Sequence, residues 1–178
     1  KALQALGGLY LYIPRPEKAI PILEESYAYW RKKSDKSKLG HVLNDLGWAN
    51  IVIGNYIEGE KYSLKGKEMF ETLQNKAKLV SSHNNLGSSF MNRGRPTEAY
   101  PHFTKCLELT KQLNDDRRKA YALLNLGLCD AYHGNYDLSI SRAKQGIVIL
   151  HEINDKTLET YGYDLLSFTY LYQGDFVN

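Results

Sequence analysis

The sequence predicts an all-α superhelix, a solenoid of antiparallel helix hairpins, and three observations carry that reading. A pair of residues returns every 40 positions, as Leu6-Gly7, Leu46-Gly47, Leu86-Gly87, Leu126-Gly127 and, in altered form, Leu166-Ser167. A glycine follows seven places beyond the last four pairs, at Gly54, Gly94, Gly134 and Gly174. Between these marks, apolar and small residues recur at steps of three and four, the spacing of one helical face. A fixed internal period describes stacked units, each packed only on its neighbours.

Each unit reads as two helices, A and then B. In the second unit Ser34-Asp35 offers cap chemistry, helix A runs from about residue 37 to 53, and Gly54 ends it because glycine tolerates the left-handed conformation past a helix end. Helix B follows from about 56 to 73, with Tyr56, Gly59, Ser63, Gly66, Phe70 and Leu73 along one face. The next unit places helix A at about 77–93 and helix B at 96–112, the one after at 117–133 and 136–152, and a last helix A at 157–173. Asp35-Lys36, Asn75-Lys76, Asp115-Asp116 and Asp155-Lys156 mark the hand-over from each B to the next A, with short polar side chains suited to capping backbone amides. The whole of 1–178 is read as a single array with units at about 1–34, 35–74, 75–114, 115–154 and a partial 155–178, excised from a larger protein.

Pro16 and Pro96 fall at the first turn of their helices, where a missing N–H costs little. Pro21 and Pro101 lie five residues further in, where a helical hydrogen bond is lost, and a loosened or bent first turn is expected there.

A glycine inside a helix costs about 1 kcal/mol relative to alanine. Its return at Gly7, Gly47, Gly87 and Gly127 therefore signals close approach of helix B, answered by small residues at Ala19, Gly59, Ala99 and Ser139. Leu46, Leu86, Leu126 and Leu166, with Tyr29, Met69, Leu109 and Ile149, supply apolar bulk, and Trp30 falls in a core column with Phe70.

Together the Leu-Gly pair, the later glycine, the aromatics Tyr56, Tyr136 and Phe176 and the small column of helix B resemble the tetratricopeptide repeat over the entire chain. Two departures stand out. The period is 40 instead of 34, which resembles the variant in bacterial signalling regulators and animal spindle-orientation adaptors, and Pro96 replaces the aromatic after Gly94. The resemblance implies that helix A lines a concave groove holding a peptide or protein segment. By position the groove candidates are Asn44, Asp45, Trp48, Asn84, Asn85, Ser88, Met91, Asn125, Leu128 and Tyr132, with Tyr161, Asp164, Phe168 and Tyr172 in the last unit.

Asparagine in mid-helix competes for backbone hydrogen bonds, so the columns Asn44, Asn84 and Asp45, Asn85, Asn125 call for a reason. Each amide could hold the main chain of a bound segment, or could bond a neighbouring helix and close the array. Trp48 is expected as an apolar anchor, and the aromatics of the last helix A as partners of a flanking segment.

Composition bounds the rest. The net charge of +3 comes from 23 basic and 20 acidic residues well mixed along the chain, unlike the basic face of a nucleic-acid binder. No apolar run approaches a membrane span of roughly 18 residues. Cys106 and Cys129 occupy small-residue columns without a CxxC, which suits a reducing, cytoplasmic compartment. The scattered histidines give no metal set, and no phosphate loop or nucleophile elbow is present, so neither enzyme nor cofactor is expected. Acidic pairs such as Asp115-Asp116 read as capping groups. The expected function is a protein-interaction module in an intracellular signalling regulator or scaffold. The alternative is a structural segment that forms a homodimer through the exposed ends of the array.

Overall fold

The computed structural model describes residues 16–174, which form eight helices: α1 (Pro16–Lys33), α2 (Lys36–Val52), α3 (Tyr56–Thr72), α4 (Lys76–Asn92), α5 (Pro96–Leu113), α6 (Asp116–Tyr132), α7 (Tyr136–Glu152) and α8 (Lys156–Gln173). The even-numbered helices are the expected A helices and the odd-numbered ones the B helices. Leu6, Gly7 and Phe176 lie outside the described residues.

The ends of the helices follow from two recurring turns. After each A helix a glycine takes positive φ, at 87° in Gly54 and 76° in Gly134, where a Cβ would meet open space; the backbone conformation alone requires glycine. The turn closes when Asn55 N–H donates to Asn50 O at 2.8 Å, and Asn135 N–H to Asp130 O at 2.9 Å. After each B helix the left-handed residue is not glycine. Ser34, Gln74, Asn114 and Asn154 hold φ between 51° and 57°. The next residue caps the following A helix: Asp35, Asn75, Asp115 and Asp155 accept from the amides of Lys38, Lys78, Arg118 and Leu158 at 3.0 to 3.2 Å. Both α1 and α5 run unbroken through Pro21 and Pro101, which are exposed.

The chain divides into two compact units, residues 1–93 and 94–178. In the first, each described helix packs on its neighbour in sequence, and the A helices α2 and α4 also touch. Ala19, Leu23, Trp30, Leu39, Val42, Leu43, Leu46 and Ala49 form its core, with Phe70 fully buried. Gly47 and Gly59 allow α2 and α3 to meet: a methyl on Gly47 would run into Ser63 Oγ, and one on Gly59 would lie 2.6 Å from Ile51 Cγ1 and 2.8 Å from the Gly47 carbonyl oxygen.

In the second unit α5 packs on α6, α6 on α7 and α7 on α8, and the A helices α6 and α8 touch. Ala120, Leu124, Ala143, Leu150 and Leu165 form the core, beside a buried Phe103. Full burial of a phenylalanine contributes about 2–3 kcal/mol. At Gly127 the approach is looser than at Gly47: a methyl there would lie 3.2 Å from the Ser139 carbonyl oxygen, and the Ser139 hydroxyl shares a hydrogen bond of 2.9 Å with Thr169.

Candidate functional site

Helix A recurs with its polar columns on the side where A helices meet one another. In the first unit this brings Asn44 of α2 against α4. Ser82 Oγ donates to Asn44 Oδ1 at 2.8 Å, Asn44 Nδ2 reaches the Lys78 carbonyl at 3.5 Å, and Asn85 Nδ2 donates to the Asn44 carbonyl at 3.0 Å. Asn44 and Asn85 are both buried. In the second unit Asn125 is buried as well, and its Oδ1 accepts from Tyr161 OH at 3.2 Å. The amides of Asn44, Asn85 and Asn125 are thus engaged between helices, the second of the two roles open to them. Asn84, Ser88, Met91 and Trp48 are half-buried on the same helices.

Asp45 is the charged member of the column that holds Asn85 and Asn125. Burial pushes its carboxyl up to about 6, and Lys78 across on α4 opposes that rise. His41, one turn earlier, packs edge-on against Phe70 with centroids 5.5 Å apart. Burial lowers its pKa, and the Lys78 charge lowers it further.

The second unit presents different chemistry. Tyr121 and Tyr161 face each other with centroids 6.0 Å apart, and burial raises both phenols while Asn125 hydrogen-bonds Tyr121 in opposition. Beyond them a ladder of rings reaches solvent. Tyr132, at the end of α6, lies 5.7 Å from Phe168 of α8, and Phe168 lies 4.5 Å from Tyr172 one turn on. Tyr132 is 58% exposed and Tyr172 61%, while Phe168 and Leu128 are half-buried. Of the ten groove candidates, Leu128 and Tyr132 stand at this surface, which Phe168 and Tyr172 extend.

A buried charge pair escaped the sequence reading. Asp130 of α6, 1% exposed, pairs with Arg142 of α7 at 2.8 Å, and Arg142 Nη2 donates to Tyr100 OH of α5 at 2.8 Å. Burial raises the Asp130 carboxyl, with Arg142 and then His133 opposing. The available signal was a charge at 130 where the same column has Asn50, Phe90 and Tyr170.

Among the described residues no group of three or more His, Cys, Asp or Glu side chains could hold a metal ion, and no helix is long and apolar enough to cross a membrane. Cys106 and Cys129 are buried thiols, each pushed up to about 12 by burial, so neither offers a thiolate.

Residues 78–149 match the family model described as tetratricopeptide repeat. Those residues carry tetratricopeptide repeats, and the described helices on either side of them keep the same 40-residue register. No curated protein matches it. The chain is similar in fold to BtubC from P. vanneervenii, at 17% identity and a TM-score of 0.80 over 98% of this chain and 72% of that one. A Rap protein complexed with Competence and Sporulation Factor superposes with a TM-score of 0.88 at 16% identity, over 98% of this chain and 49% of that one. A signal-transduction ATPase with a tetratricopeptide repeat sensor, from Pyrococcus horikoshii, gives 0.81 at 23% identity, over 96% and 26%. The chain therefore spans under half the length of those last two proteins. The likeness shows the fold, an α-α superhelix of helix hairpins built on these repeats.

Proposed function

We propose that this chain is a protein-interaction module that binds a peptide or protein segment along its A helices, as the sensing or scaffolding part of a larger intracellular regulator. The observation that carries the reading is the solvent-facing ladder of Tyr132, Phe168 and Tyr172. Buried contacts hold most aromatics in a fold, whereas exposed clustered tyrosines supply large, stiff contact area of the kind that dominates interfaces. The factor in the Rap complex and the sensor named in the archaeal ATPase support the same assignment. Asp45, Trp48, Asn84, Ser88 and Met91 are the proposed contacts of the first unit, by the same helix class. No residue is assigned to catalysis.

Selection of peptides from a random display library on the 178-residue chain tests this. Recovered peptides should lose roughly tenfold in affinity to Phe168→Ala or Tyr132→Ala, the effect of removing an aromatic anchor, while the thermal melt of the protein stays cooperative. Peptides indifferent to both changes would overturn the assignment.

Self-association is a second reading, favoured by one observation. Tyr163 and Leu171 of α8 are 52% and 56% exposed, whereas Leu43 and Ile51, in the same columns of α2, are each 1% exposed. An apolar helix side left open in this way suits a second copy. Sedimentation of the chain and its Leu171→Glu variant across a range of concentrations decides it: a dimer that the substitution abolishes supports this reading, and a monomer throughout removes it.

A further inference from the structure

We propose that the aromatic ladder of the second unit takes a basic segment of a partner protein, seating arginine or lysine side chains against Tyr132, Phe168 and Tyr172. This rests on the reading of that surface as a peptide-binding site and adds the chemistry of what it binds.

Four features agree. The ring faces carry negative charge density and attract a guanidinium or ammonium group. The ladder also sits where two helices end, since Tyr132 is the last residue of α6 and Tyr172 stands one residue before the end of α8. The last carbonyls of a helix give that end a partial negative charge, which a nearby cation offsets. Neither α6 nor α8 has a basic residue in its last turn, whereas α1 has Arg31, Lys32 and Lys33, α5 has Lys111 and α7 has His151. The last turns of α2, α3 and α4 lack a basic residue too, so it is the conjunction of such an end with the exposed rings that sets α6 and α8 apart.

The third feature is a carboxylate. Asp164 is exposed and precedes Phe168 by four residues on α8, so both lie along one side of the helix. The fourth is the local balance of charge: residues 94–178 hold eleven Asp and Glu against nine Lys and Arg, although the whole chain is net positive. Five of the nine bases are held in Arg117–Asp155, Arg118–Asp115, Lys105–Glu108, Lys156–Glu159 and the buried Arg142–Asp130, and since each pair takes up one acid as well, the surplus of two acidic residues stands. His133, next in sequence to Tyr132, has its Nε2 3.0 Å from Thr97 Oγ1 and is tied to α5. An acidic segment would meet the π faces, two negative helix ends and Asp164, all of the wrong sign.

The composition of the display-selected peptides is the test, read on those whose binding depends on the ladder. They should carry Arg or Lys at a shared position, and replacing that residue with Gln should weaken binding roughly tenfold. Asp164→Asn should weaken them several-fold, and Phe168→Leu, which keeps an apolar side chain but removes the ring, should weaken them about as much as Phe168→Ala. Ladder-dependent peptides with no basic position, or basic peptides that tolerate the Gln replacement, would overturn the basic ligand and leave the peptide-binding site standing. If no recovered peptide depends on the ladder, both fail.

Discussion

The two units share one register and differ in what they do with it. In the first, the column after Leu46-Gly47 puts Trp48 on the A side, preceded by Asn44 and Asp45; in the second, the same positions hold Leu128, Leu124 and Asn125, then Phe168, Asp164 and Leu165. The first unit joins its A helices through a chain of amides, Ser82 to Asn44 and Asn85 to Asn44. The second joins them through Leu124 and Leu165 in its core and through the Tyr161 hydroxyl on Asn125, and Tyr132 and Tyr172 reach solvent beyond them. The first seam takes up the amides of Asn44 and Asn85, whereas the second is largely apolar and leaves Tyr132 and Tyr172 exposed. The repeat fixes the backbone, and the chemistry of each seam decides which side chains a unit leaves exposed.

The largest effect should come from the charge pair present only in the second unit. Asp130→Ala strands Arg142 between α5, α6 and α7, and removing one partner of a buried pair costs about 3 kcal/mol. Asn50 occupies the same column in the first unit, where its Nδ2 donates to the Leu46 carbonyl at 2.9 Å. Asn50→Ala should cost only about 1 kcal/mol. Urea melts of the two variants measure the contrast, and equal losses would mean that the column works alike in both units.

A second contrast lies where A and B helices touch. A Cβ at Gly59 would press on Ile51 and on backbone, so Gly59→Ser should destabilise by about 2 kcal/mol through overpacking. Its counterpart Ser139 already carries a hydroxyl bonded to Thr169. Ser139→Gly should cost about 1 kcal/mol from helix propensity and the lost hydrogen bond. A Gly59→Ser variant that melts like the parent would show that α2 and α3 can part without penalty.

Asp45 separates the units by pH. Its folded-state carboxyl titrates at about 6, above the ordinary value of 3.8, because burial favours the neutral form. The folded chain therefore binds the proton more tightly than the unfolded chain, and this group adds stability as pH falls from about 6 toward 4. Asn85 and Asn125 hold the column with no charge to lose. Asp45→Asn should raise the melting temperature at pH 7, with the gain shrinking toward pH 4. A gain of constant size across that range would mean that the effect is not titration. The capping carboxylates behave oppositely: hydrogen bonds from Leu158 and then Arg117 hold Asp155 below the usual range, so its contribution is present above the ordinary carboxylate pKa and fades as pH falls through the lowered one.

Much of the fold was legible because close packing repeats. Gly47, Gly54 and Asp35 each answer a backbone demand that recurs every unit, and the helix limits read from them agree with the structure to within a residue. The interior role of Asn85 was legible only as one of two options. Whether a mid-helix amide meets a neighbouring carbonyl or a ligand depends on the spacing between A helices, which no single unit encodes. The Asp130–Arg142 pair was hidden for a related reason, since its residues come from columns that elsewhere hold uncharged side chains such as Asn50 and Tyr62.

The smallest effect concerns the turns that the sequence did not disclose. Gln74 in the first unit and Asn114 in the second have the same φ of 51°, so the backbone demand is equal and the residues are not. A left-handed residue with a Cβ crowds the following carbonyl, at a cost of about 1–2 kcal/mol, which asparagine lessens by hydrogen-bonding locally through its short amide and glutamine does not. Glycine removes the crowding but gives the unfolded chain more freedom, which returns part of the gain. Gln74→Gly should therefore stabilise by roughly 0.5–1 kcal/mol and Asn114→Gly by a few tenths at most. Paired urea midpoints resolve that difference. An equal gain at both sites would place the strain in the shared backbone rather than in the side chain, and would remove turn chemistry from the features that distinguish the two units.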